Sequence, residues 1–72
     1  MTKQKFSETF PNIHHWVDQG DIVEIGWEEN TDSLVRALDE GGLVWGSPDN
    51  LSIDEALQKL DNFLKKYFEE NE

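Results

Sequence analysis

Ser33-Leu34-Val35-Arg36-Ala37-Leu38-Asp39-Glu40-Gly41-Gly42-Leu43-Val44-Trp45 is the stretch that decides the fold. Two apolar runs, 33–39 and 43–46, flank Glu40-Gly41-Gly42. A tight turn needs the positive φ that glycine adopts without steric cost, so the segment reads as a β-hairpin. Upstream, 21–28 carries Ile22, Val23, Ile25 and Trp27, the β-branched and aromatic side chains that suit a pleated surface. Three strands joined by short loops make an antiparallel meander the simplest topology.

Polarity selects the register, because a one-residue slip moves every side chain of a strand to the other face. An odd-length loop between the first two strands sets Glu24 opposite Arg36 and gathers Val23, Ile25, Trp27, Val35 and Ala37 on one uncharged face. An even-length Gly-Gly hairpin adds Val44 to it. An even first loop would instead push the Arg36 guanidinium among these apolar side chains. The preferred register leaves a second, mixed face of Ile22, Glu24, Leu34, Arg36, Leu38, Leu43 and Trp45, with Trp45 expected to be partly exposed.

The C-terminal third predicts a helix over 52–68 that lies across the uncharged face. Ser52-Ile53-Asp54-Glu55 is a capping box, in which the hydroxyl accepts from the amide of residue 55 and the Glu55 carboxylate reaches back to the amide of residue 52. Leu51 is placed as the hydrophobic staple onto Ala56. Ile53, Ala56, Leu57, Leu60, Phe63, Leu64, Tyr67 and Phe68 draw one stripe at spacings of three and four, while Glu55–Lys59, Asp61–Lys65, Lys65–Glu69 and Lys66–Glu70 pair on the opposite face. Glu69, Glu70 and Glu72 stand at the negative end of the helix dipole, so the last residues are expected to fray. Near the start of the chain, Pro11 suits a first helical position and Gly20 a left-handed terminator. A short helix over 11–19 with Ile13, Trp16 and Val17 on one side is predicted, closing a sheet edge or part of the mixed face. Residues 1–5 are expected to be disordered. With no linker, repeat or low-complexity tract, 1–72 reads as a single α+β domain.

The chain has 72 residues and no cysteine, with 16 acidic side chains against 6 basic ones for a net charge of −10. Such a length allows one small core and a stability of a few kcal/mol. The missing thiols exclude disulfides and Cys-ligated zinc and fit a reducing, cytoplasmic setting. Coulomb repulsion disfavours direct contact with nucleic acid or an anionic bilayer, and no apolar run has the ~18 residues of a membrane span. The acidity is uneven. Residues 1–20 are neutral, 21–50 set Arg36 against eight acids for −7, and 51–72 set three lysines against six acids for −3.

Few constellations carry chemistry. His14 and His15, being adjacent, point about 100° apart on a helix and do not chelate one ion together. Glu28, Asn30, Asp32 and Asp39 echo a calcium loop, but Ser33 stands where that loop needs glycine and Arg36 falls inside it. Ser7, Ser33, Ser47 and Ser52 lack a nucleophile context beside a histidine. No cofactor is therefore expected and an enzyme is disfavoured. The polar cluster of Glu24, Arg36, Asp39 and Glu40 reads as a cross-strand ion pair beside turn residues, or as an anion-binding or cation–π spot where Arg36 adjoins Trp45.

Glu24-Ile25-Gly26, Ser33-Leu34-Val35-Arg36-Ala37-Leu38-Asp39-Glu40-Gly41-Gly42, Val44-Trp45, Leu51 and Asp54-Glu55-Ala56-Leu57 resemble, over roughly residues 10–66, a group of small bacterial proteins of uncharacterised function. The resemblance implies a stand-alone domain and no particular activity. More distantly, strands followed by Ser52-Ile53-Asp54-Glu55-Ala56-Leu57-Gln58-Lys59-Leu60 are similar, at the level of fold, to HicB-type antitoxins. The expected function is a non-enzymatic protein-binding or regulatory module, monomeric or weakly dimeric, that uses Leu34, Arg36, Leu38, Leu43 and Trp45. Replacing Trp45 and Arg36 by alanine is then expected to abolish binding and leave the melt nearly unchanged. Two alternatives stand beside it: a neutralising partner of a basic protein, and a small anion-binding module or enzyme centred on Arg36.

Overall fold

The computed structural model describes residues 5–27, 33–48 and 50–70. Its elements are α1 (Phe6–Thr9), α2 (Pro11–Asp18), β1 (Ile22–Ile25), β2 (Val35–Asp39), β3 (Gly42–Gly46) and α3 (Ile53–Glu70). The fold is α+β, with a three-stranded antiparallel sheet in the order β1-β2-β3. The predicted disorder of the first residues, Glu28, Asn30 and Asp32 of the calcium-loop echo, and Glu72 lie outside the described residues, Lys5 excepted.

The β1–β2 register is the one that polarity selects: Val23 faces Ala37, Glu24 faces Arg36 and Ile25 faces Val35. The hairpin closes with Asp39 opposite Gly42. Asp39 Oδ1 accepts from the Gly41 amide at 2.8 Å, and Gly42 takes φ +114°, where a Cβ would be strained. Beyond the turn Leu38 faces Leu43, but Ala37 faces Trp45 and Arg36 faces Gly46, so the register shifts by one residue at Val44. This β-bulge corrects the face expected for Trp45, while its partial exposure is as expected. An extra residue on one strand lets two neighbours face the same layer, and both Val44 and Trp45 pack on the core. Trp45 sits 6.2 Å, ring to ring, from Phe63 of α3. It belongs to the helix side of the sheet, not to the mixed face.

The core joins α2, β2 and α3 through Ile13, Trp16, Val35, Ala37, Ala56, Leu57, Leu60 and Leu64, all buried, with Leu34 among them. The uncharged face is therefore the bed of α3, as its pattern requires. Ile25 and Trp27 depart from it and are more than half exposed. Gly26, at φ +140°, ends β1 there, and Trp16, which donates from Nε1 to the Ile22 carbonyl at 3.0 Å, covers the other end of the strand.

Both helix starts have identifiable causes. Ser52 Oγ accepts from the Glu55 amide at 3.2 Å, and Glu55 Oε1 accepts from the Ser52 amide at 3.2 Å and its hydroxyl at 3.0 Å, so the capping box forms as read. The helix then runs two residues past the predicted 68, because Glu69 and Glu70 remain helical rather than fraying. Pro11 occupies the first turn of α2, whose N-cap residue Phe10 makes no side-chain cap bond. The missing cap comes from another helix. Asp61 Oδ1 accepts from the amides of Asn12 at 2.9 Å and Ile13 at 3.0 Å, and Oδ2 from the Asn12 side-chain amide at 3.0 Å. Asp61 is thus buried, not on the solvated face with Lys65. Through it, and through Trp16 against Tyr67 and Phe68, α2 joins the α3 layer instead of covering the mixed face. A single extra turn, α1, precedes it and was not predicted.

Candidate functional site

With both long helices on one side, the opposite side of the sheet carries two rungs. The first is Ile22, Leu38 and Leu43, aligned across all three strands by their pairing. Ile22 is 55 % exposed and Leu43 64 %, while Leu38 is half-buried. Exposed apolar side chains are ordinary singly, whereas a row of them across one face invites a partner. At the α2 end this row borders a shallow hollow of about 340 Å³ lined by Ile22, Leu38, Asp21, Asp39 and Glu40. An apolar stripe beside three carboxylates suits an apolar protrusion with a basic rim.

The second rung is Glu24, Arg36 and Gly46. Arg36 is only 6 % exposed, and its Nε donates to Glu24 Oε1 at 3.1 Å. Its Nη1 donates to the Gly26 carbonyl at 2.9 Å and also to the Ser33 carbonyl. These two carbonyls stand at the two ends of the β1–β2 loop, so one guanidinium ties the base of that loop together. Gly46 makes the room: a Cβ there would come within 2.7 Å of Ser33 Oγ and 3.3 Å of Ser33 Cβ. Burying a charge is tolerable when it is paired and hydrogen-bonded, and this one is.

The five residues expected to form one footprint therefore separate. Leu38 and Leu43 lie on the outer face, Arg36 is buried in the same face as a loop clamp, Leu34 enters the core, and the bulge carries Trp45 to the helix side. The double alanine variant of Arg36 and Trp45 would consequently lower the melt, against the expectation from sequence. Ile22 and the acids beside it complete the exposed row, and their signal was the register itself, which sets Ile22 against Leu38. Trp27, expected on the uncharged face beneath the helix, is 60 % exposed.

Ser47 is buried, its hydroxyl accepting from the Val35 amide at 3.1 Å, and Ser52 caps α3. His14 and His15 are exposed on α2, the ring of His15 lying 4.8 Å from that of Phe68. Among the described residues no three His, Asp or Glu side chains converge as a metal site, and no helix is long and apolar enough to cross a membrane. Comparison with protein-family models, curated proteins and solved structures finds no match.

Proposed function

We propose that the chain is a non-enzymatic protein-binding module of the cytoplasm, with the outer face of its sheet as the contact surface. The observation that carries this reading is the exposed row Ile22–Leu38–Leu43 on the side away from α2 and α3. Arg36 serves the module by holding the β1–β2 loop, not by meeting a ligand. The test is capture of a partner by the intact chain and by Ile22→Ser/Leu43→Ser. Both side chains are largely exposed, so the variant should melt within about 0.5 kcal/mol of the parent. Binding should be lost. Capture that survives with full strength sinks the proposal, and sedimentation at two concentrations shows whether a second copy is the occupant.

A more specific form of this reading is a neutralising partner of a basic protein, in line with the resemblance to HicB-type antitoxins. Asp21, Asp39 and Glu40 beside the apolar row favour it, since carboxylates around an apolar patch steer and orient a basic partner. Binding should then weaken steeply as salt rises. A complex indifferent to salt would leave the general module and remove this version of it.

A further inference from the structure

A second surface lies on the helix side, where β3 and α3 enclose a shallow groove of about 410 Å³. Trp45 and Phe63 line it, with ring planes 30° apart, together with Pro48. Lys59, Asn62, Phe63 and Lys66 fall at helix positions i, i+3, i+4 and i+7, which places them on one face of α3. No carboxylate is among the groove's described lining residues, although the chain carries 16 acids. Neither lysine is in an ion pair within 4.0 Å among the described residues, where Arg36–Glu24 is the one such pair. Two cations thus line an aromatic groove together, Lys59 also acting on the Glu55 carboxyl one turn back without a close ion pair.

We propose that this groove binds an acidic peptide segment of a partner, with an aromatic or large apolar side chain seated on Trp45 and Phe63. The charge decides the occupant. Lys59 and Lys66 are seven residues apart, about 10 Å along the helix, so carboxylates a few residues apart on an extended chain, at about 3.3 Å per residue, reach both ammonium groups while the residue between them meets the rings. At about 0.15 M ionic strength the screening length is about 8 Å, so the chain's remote acids repel such a segment weakly while the lysines attract it at contact. This site is separate from the outer face and does not depend on the reading proposed for it.

The experiment titrates the isotopically labelled full chain with acetyl-Glu-Glu-Phe-Glu-Glu-amide at that ionic strength and follows amide and indole resonances. The expected result is saturable shifts at Trp45, Asn62 and Phe63, with at least a tenfold loss of affinity in Lys59→Gln/Lys66→Gln. Substituting Ala for the peptide's Phe should weaken binding, and the Lys-Lys-Phe-Lys-Lys counterpart should leave the groove resonances unshifted, whatever it does at the acidic outer face. Lys59→Glu/Lys66→Glu extends the series, and the glutamine pair keeps it decisive if charge reversal beside Glu55 and Glu70 disturbs the helix. Ile22→Ser/Leu43→Ser should bind the peptide as the parent does. The proposal is overturned if millimolar acidic peptide leaves the groove unshifted, if its shifts occur on the outer face alone, if the basic peptide shifts the groove equally, or if the folded glutamine variant keeps its affinity.

Discussion

Asp61 is the residue on which the helical layer turns. Helix starts leave backbone N–H groups without intrahelical partners, and α2 begins at Phe10-Pro11, which offers no hydroxyl or carboxylate of its own. The Asp61 carboxylate takes two of those amides and brings a negative charge to the positive end of α2. Asp61→Ala strands both donors in a buried site, at a cost of about 2–3 kcal/mol. In a domain of this size that corresponds to a drop in Tm of roughly 4–8 °C per kcal/mol, measurable by circular dichroism. Asp61→Asn should cost less than half as much, because one oxygen still accepts from both backbone amides and the Asn12 amide can flip to meet the new NH2 group. Equal losses in the two variants would show that charge, not hydrogen bonding, carries the contact. Arg36 yields a second comparison. Its ion-pair partner Glu24 has a side chain 43 % exposed, so Glu24→Gln should cost under about 1 kcal/mol. Arg36→Lys keeps the charge but loses the fork that serves Glu24, Gly26 and Ser33 together, and should cost about 1–3 kcal/mol in urea unfolding. A larger loss for Glu24→Gln would assign the clamp to the carboxylate instead of the loop carbonyls.

At the scale of elements, the start of α3 is sensitive to acid. The Ser52 backbone amide, then its hydroxyl, hold the Glu55 carboxyl below its ordinary value against a slight desolvation, with Lys59 adding to the effect. A depressed folded-state value means that the contribution to stability is present above the unfolded value and is lost as pH falls through the folded one. Ser52→Ala should return the Glu55 carboxyl toward its ordinary titration, read from its side-chain carbon shift, and flatten the acid side of the helix melt. The return should be partial, because the Ser52 backbone amide, the larger cause, remains; an unchanged Glu55 titration would assign the effect to that amide alone and not to the hydroxyl. This cap, the α3 stripe and the Glu24–Arg36 register were legible because each leaves a periodic or spaced mark in the sequence. The bulge leaves none, since Leu43-Val44-Trp45 is apolar throughout and its alternation is silent. The Asp61 contact did leave a mark. Asp61 stands four residues after Leu57 and three before Leu64, inside the apolar stripe, and the uncapped Pro11 helix needed an acceptor from elsewhere. Arg36 as a loop clamp was illegible for a different reason: its partners are backbone carbonyls, which every residue has.

For the whole molecule the charge and the open sheet act against each other. β1 and β3 are both edge strands, whose unpaired backbone groups can template pairing with another chain, and Ile22 and Leu43 stand exposed on them. Neither edge is covered by a further strand among the described residues. A net charge of −10 keeps copies apart, because like-charged surfaces repel before the apolar row can meet its counterpart. Lowering the pH toward the sequence pI of about 4.4 removes that repulsion while leaving the row intact. Light scattering should therefore show monomer at neutral pH and low salt, and growing association as the pH approaches the pI. Added salt at neutral pH should move the chain the same way by screening, to a smaller extent. Ile22→Ser/Leu43→Ser should suppress both responses if the outer face is the surface that meets. Association that proceeds unchanged in this variant would place the contact at the strand edges. A chain that stays monomeric through its pI would show that the row is too small to hold two copies together.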